Sequence, residues 1–243
     1  MKIISKIKIH PFFYLFSIIC IVTGYFKNFI IISFIILFHE LGHILVSQLF
    51  HWKIEKIVLL PFGGITIFHE FLNRPMKEEF FIAIAGPVFQ TFLFLFLKYP
   101  FYEYNLYILL FNLLPIFPLD GSKIFNLFLN QLFSFKKSHI YSIILSIIML
   151  SFFLFQKNLM IILILFFLGI KTFKELKDHK LLIHKFLLER FLYCFSFRKT
   201  KIIQGDDTTM MKRDHKHLFY FAHSYHTEQE ILRRMFDKKG FLW

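Results

Sequence analysis

Cysteine is nearly absent: two residues in a chain of 243. Cys20 lies in an apolar stretch and Cys194 in the C-terminal region, with no Cys-x-x-Cys spacing, so no disulfide framework is indicated and both read as unpaired thiols. Acidic residues are also scarce, 16 against 29 Lys and Arg, for a net charge of +13. That surplus does not point to direct nucleic-acid binding, because sixteen of the basic residues follow residue 170, directly behind the last apolar stretch. A basic tail so placed marks the cytoplasmic side of a membrane and its anionic lipid rather than DNA. No small-residue cleavage site follows Lys2, Lys6, Lys8 and the apolar stretch from Pro11. The N-terminus therefore reads as an uncleaved first span, not a signal peptide. Internal repeats and low-complexity linkers are missing too.

Apolar residues are what the chain has in abundance, 56% of the total, with 38 Phe. Several stretches approach or exceed the roughly 17–20 residues a spanning helix requires, which excludes an ordinary soluble domain. Six spans are expected, at about 11–26, 29–50, 80–97, 104–119, 139–155 and 158–174. With the N-terminus inside, the inner loops hold Lys53, Lys56, Arg74 and Lys77, then Lys123, Lys136 and Lys137; the outer loops hold Lys27, Lys98 and Lys157. This obeys the positive-inside rule and puts both termini in the cytoplasm. The expected fold is an all-α polytopic membrane protein with a short membrane-associated β-hairpin and a small α+β cytoplasmic tail. The hairpin is read from β-branched residues flanking Gly63-Gly64 within 57–67. The fourth span is broken by Pro115 and Pro118, as is tolerated where a helix lines a water-filled cavity. The domain expectation is a membrane domain over 1–174, an amphipathic linker helix over 175–195 and a tail module over 196–243.

His39-Glu40-Leu41-Gly42-His43 lies inside the second apolar run. HExxH is the zinc signature of metalloproteases: spacing i, i+4 puts both imidazoles on one helix face, and the Glu between them can take a proton from a water at the ion. A third ligand is needed, and Asp120, behind the broken span, is the carboxylate available near membrane depth. One Zn2+ per chain on His39, His43 and Asp120, with Glu40 as acid/base, is the expected site. His43 lies about 10 Å from the inner end of its helix at 1.5 Å per residue, so water must reach it through a cavity, with the broken span as the expected wall. Asp120 taken alone would serve a helix-terminal turn, and Gly63 and Gly64 a turn or an edge strand that pairs with an extended substrate. Glu103 reads as a helix boundary. His215, His217, His223 and His226 fit no closed zinc motif and read as surface residues.

Several stretches carry a family resemblance: Lys8-Ile9-His10-Pro11-Phe12, His39 to His43, Leu59-Leu60-Pro61-Phe62-Gly63-Gly64, Asn73-Arg74-Pro75-Met76-Lys77-Glu78-Glu79-Phe80, Ala85-Gly86-Pro87, Asn112 to Gly121 and Phe186-Leu187-Leu188-Glu189-Arg190. Together they resemble the site-2 protease family of intramembrane zinc metalloproteases, in particular its sporulation branch, which processes pro-sigma-K. The resemblance covers residues 8 to about 192. It implies substrate contacts at Asn112 and Pro115 and substrate presentation near Gly63-Gly64. It also implies a membrane-associated pro-sigma factor as substrate and inhibitory membrane proteins as partners. The family's C-terminal module is of the cystathionine-β-synthase (CBS) type, which can bind ATP or another adenine nucleotide; residues 196–243 resemble a single short copy, without the length of a paired module. Ser122 stands where a second glycine is usual.

The leading expectation is a zinc endopeptidase cutting a membrane-tethered pro-protein near the cytoplasmic face. An anti-sigma factor or a remnant signal peptide is the alternative substrate. A metal or proton transporter would need polar residues on several spans, and this chain concentrates them in two. An inactive scaffold would not keep all four catalytic residues.

Overall fold

Proline and glycine punctuate the helices of the N-terminal half. The computed structural model describes residues 6–60, 63–68, 71–153, 159–193 and 195–238. Helix α1 (Pro11–Val22) starts on a proline, whose missing N–H costs nothing in a first turn. It ends just before Gly24, whose φ of +78° is a left-handed conformation that suits glycine. Helix α2 (Phe26–Leu49) runs 24 residues without a proline. Strands β2 (Ile54–Leu60) and β3 (Gly63–Phe68) pair antiparallel as the expected hairpin, its tip at Pro61 and Phe62 lying outside the described residues. A third strand, β1 (Ile7–Ile9), pairs parallel with β2 and gives the order β1-β2-β3. Three residues at the flank of an apolar run are too short a pattern to have announced it.

Helix α3 (Met76–Phe92) opens with Glu78 and Glu79 in its first turn, where carboxylates suit the helix dipole. Helix α4 (Phe101–Asn112) stops short of Leu114 and Phe117, which precede prolines and so disfavour helix. Helix α5 (Asp120–Leu132) begins on Asp120, and α6 (Phe135–Phe153) buries Ser138, Ser142 and Ser146 one turn apart. The expected last span and the amphipathic stretch behind it lie on one helix, α7 (Leu159–Leu192). The segments α2, Met76–Leu95 and α6 are long and apolar enough to cross a bilayer. Helices α1 and α4 have 12 residues each. At 1.5 Å per residue that is about 18 Å, against a hydrocarbon core of about 30 Å. Lys157, expected in an outer loop, and Cys194 lie outside the described residues.

The chain divides into two compact units, one from 1–70 and 77–124, the other from 71–76 and 125–243. In the first, Gly42 lets α2 approach α3, since a Cβ there would lie 2.5 Å from the Ala85 carbonyl oxygen.

In the second, β4 (Lys199–Gln204) runs parallel to β5 (His215–Phe221), which pairs antiparallel with β6 (Ser224–Thr227). Helix α8 (Glu228–Lys238) follows. Phe186 and Leu187 of α7 pack with Phe135, Ile203, Met211, Phe219, Ile231 and Leu232. Beside this core Arg190 is buried between the Phe186 and Phe197 rings, 4.9 and 4.7 Å from their centroids. It donates to Asn73 Oδ1 (2.7 Å), the carbonyls of Lys212 and His215, and Glu228 Oε1 (2.9 Å). Burial pulls the guanidinium below its ordinary pKa, and the Glu228 carboxylate opposes that pull. His217 departs from the surface expectation: it is fully buried in the same cluster, whereas His223 is exposed. Alternation puts it inward on β5, and the Arg190–Glu228 pair gives it a polar niche.

Candidate metal centre

HExxH spacing does here what helical geometry requires of it. On α2, His39 and His43 are both buried, with their Nε2 atoms 3.1 Å apart. Asp120 Oδ2, at the start of α5, lies 2.9 Å from His39 Nε2 and 3.0 Å from His43 Nε2. Asp120 gets there because Gly121 lies tight against the turn after α4; a Cβ on it would reach within 2.5 Å of the Leu114 carbonyl oxygen and closer to that of Leu113. Asp120 Oδ1 accepts from Lys123 Nζ at 3.0 Å, so one carboxylate oxygen is held by a cation and the other turns to the histidines.

The donor set fits a metal ion. His43 Nδ1 lies 2.7 Å from the Ile82 carbonyl oxygen, an acceptor only, so Nδ1 carries the proton. His39 Nδ1 faces Gln90 Oε1 at 2.8 Å in the same sense. Two imidazole lone pairs and a carboxylate oxygen then point at one another, and three acceptors so placed need a cation between them. His39, His43 and Asp120 offer ligand atoms all within 4.8 Å of one another, the one such group of three among the described residues. Room for the ion comes from Gly86 on α3: a Cβ there would sit 2.6 Å from His39 Nε2 and nearer still to His43 Nε2. Zinc lies about 2.0–2.1 Å from histidine nitrogen, and two His with one carboxylate plus an open position is a zinc-hydrolase donor set.

Glu40, also buried, projects toward β3. Thr66 Oγ1 donates to its Oε2 at 2.5 Å. Gly64 makes the approach possible, since a Cβ there would come within 2.5 Å of Glu40 Oε1. A Cβ on Gly63 would lie 3.7 Å from Asn112 Oδ1. Successive strand positions face opposite ways, so β3 runs between Glu40 and Asn112. Asn112 is buried, 6% exposed. A cavity of about 290 Å³ opens beside Glu40, lined by Leu37, Leu41, Ile44, Ile57 and Leu59 among others. Its lining comes from α2 and β2 and is mostly apolar, with Gln48 beside Glu40 as the other polar side chain.

Sequence reading did not single out Thr66, Gln90, Asn105 or Lys123, and gave Gly86 no role. Gln90 and Asn105 did carry a signal, as amides set among apolar neighbours. Thr66 carried none and Gly86 only its place in the Ala85-Gly86-Pro87 stretch, since their parts depend on contacts across the fold.

The model for Peptidase family M50 matches residues 27–103. The chain is 34% identical over 219 residues to Stage IV sporulation protein FB of Bacillus subtilis (strain 168), spanning 79% of this chain and 73% of that protein. It is 35% identical over 188 residues to zinc metalloprotease MJ0392 of Methanocaldococcus jannaschii, spanning 66% of this chain and 55% of that one. Among solved structures it is similar to a site-2 protease from Methanocaldococcus jannaschii, with a TM-score of 0.56 and 30% identity over 70% of this chain and 89% of that one. An integral membrane chain with these relatives and these converging ligands belongs to peptidase family M50, the site-2 protease family, and is an intramembrane zinc metalloendopeptidase.

Proposed function

We propose that this chain cleaves a membrane-tethered pro-protein near the cytoplasmic face, and that the substrate is a pro-sigma factor, pro-sigma-K, in a sporulating cell. The observation that carries the reading is the convergence of His39, His43 and Asp120 beside Glu40. The substrate class is supported by identity with a sporulation protein over most of that protein's length. Both termini lie in the cytoplasm, as the loop charges argue. The tail, 196–243, is a single CBS-like module behind the 175–195 linker.

His39, His43 and Asp120 hold the zinc. When bound, it supplies Lewis-acid polarisation and makes water a nucleophile near neutral pH. Glu40 takes the proton from the attacking water and returns it to the departing amide nitrogen. The Thr66 hydroxyl fixes Glu40 Oε2 and leaves Oε1 free for that exchange. An extended peptide adds along β3, the edge of the three-stranded sheet, so that Gly63 and Gly64 present it. The Asn112 amide takes a peptide carbonyl, and Pro115 shapes the adjoining turn.

The test is co-expression with a membrane-associated pro-sigma factor, following processing by size for wild type and Glu40→Gln. Processing by wild type alone is expected, with zinc retained in both. Near-normal processing by Glu40→Gln would end the assignment of Glu40. A wild type that carries zinc and cuts other membrane-tethered proteins but never pro-sigma would end the substrate assignment.

A further inference from the structure

The side-chain amide of Gln90 faces two ways. Gln90 on α3 and Asn105 on α4 are both fully buried. Gln90 Nε2 lies 2.9 Å from the Asn105 carbonyl oxygen and 3.0 Å from Asn105 Oδ1. Both are acceptors, so the NH2 end of the amide is fixed toward α4. The orientation of Asn105 is anchored in turn by its Nδ2, which donates to the Gln90 carbonyl oxygen at 3.4 Å. Gln90 Oε1 is therefore the atom 2.8 Å from His39 Nδ1, and as an acceptor it requires Nδ1 to carry the proton. His39 Nε2 is left with its lone pair toward His43 and Asp120. Two amides at this depth would be costly if unpaired, and here each satisfies the other.

The two histidines are set by different means. His43 is fixed by a main-chain carbonyl, which no side-chain change removes. His39 is fixed by a relay of two side chains, which substitution can break. We propose that Gln90, held by Asn105, is the positioning residue that fixes His39 as its Nδ1–H tautomer and aims Nε2 at the ion before the ion arrives. This rests on the reading of His39 as a zinc ligand.

The test is zinc affinity of the full chain in detergent, by competition with a chromophoric chelator, backed by the visible spectrum of the Co2+-substituted protein. Gln90→Met fills the same volume without an acceptor. Its zinc affinity is expected to fall roughly 10–100-fold, the usual effect of losing such a partner. Gln90→Glu keeps the acceptor toward His39 and, protonated on its other oxygen, still donates to Asn105, and is expected to stay closer to wild type. Wild-type affinity in Gln90→Met would overturn the inference, and so would equal losses in the Met and Glu variants, which mark mere packing. Should Gln90→Met fail to fold, Asn105→Ala decides: a several-fold loss supports the relay and wild-type affinity overturns it. A wild type that binds no zinc would overturn the metal-centre reading and this inference together.

Discussion

Glycines 64 and 86 each keep a side chain out of one space, and the two spaces do different work. A Cβ on Gly86 would stand where the ion must sit, against both Nε2 atoms. Alanine is favoured over glycine within a helix by about 1 kcal/mol, so Gly86→Ala should fold well and lose zinc, roughly tenfold or more in affinity. Gly64→Ala should do the reverse. Its methyl would push Glu40 aside, the side chain whose atoms lie nearest to it. Zinc content should stay at the wild-type level while turnover falls on the order of 10²-fold, the scale of a lost acid/base. Metal analysis and a cleavage assay on both proteins separate the two effects. That His39, His43 and Asp120 converge was legible in the sequence, because i, i+4 spacing and a lone carboxylate behind a broken helix are local patterns. The residues that aim them were not: Thr66 reaches Glu40 across 26 positions and Gln90 reaches His39 across 51.

Among the elements, the hairpin and the stop of α4 followed from Gly-Gly and the paired prolines, which act on the backbone directly. The continuity of α7 did not, because a change from apolar to amphipathic pattern marks a change of surroundings rather than a helix end. The burial of His217 was also hidden, since its partners come from α7 and α8. Those partners make β5 sensitive to acid. His217 Nε2 accepts from the Lys212 main-chain N–H at 3.0 Å, so Nδ1 carries the proton and donates to Glu228 Oε2 at 3.1 Å. A second proton, on Nε2, would face the Lys212 N–H, while the Arg190 guanidinium stands 3.3 Å from Nδ1. Burial, above all, lowers the His217 pKa from its ordinary 6.5, against the opposing bond to Glu228. A group whose folded pKa is depressed gives stability above its unfolded pKa that is lost as pH falls. Hydrogen exchange, corrected for intrinsic rates, should therefore show β5 and α8 opening more readily as pH drops from 7 through 6 to 5. His217→Gln, which can accept and donate in the same places, should flatten that dependence.

At the scale of the molecule, the connection between the hairpin and α3 belongs to the other unit. Residues 71–76 cluster with 125–243, while β3 before them and α3 after them belong to the first unit. Asn73 is the fastening: its Nδ2 donates to Glu189 Oε2 (3.0 Å) and the Phe186 carbonyl (3.1 Å), and its Oδ1 accepts from Arg190. Two stretches that carried the family resemblance without an assigned role, one around Asn73 and one around Arg190, are thus the two halves of one joint. In sequence the link lies between β3, which carries Gly64 and Thr66, and α3, which carries Gly86 and Gln90. Arg190→Ala removes a buried cation from Glu228, and breaking a buried pair costs about 3–5 kcal/mol. Arg190→Lys should not restore it, because a single ammonium cannot span the fan of acceptors that the guanidinium fork reaches. Asn73→Ala should cost less, about 1–3 kcal/mol for hydrogen-bonding groups left unpaired. In both alanine variants, faster hydrogen exchange over 71–76 should accompany lower turnover, with zinc content unchanged because no ligand is touched. Faster exchange with wild-type turnover would show that the joint serves the tail alone and that the catalytic unit holds its own shape.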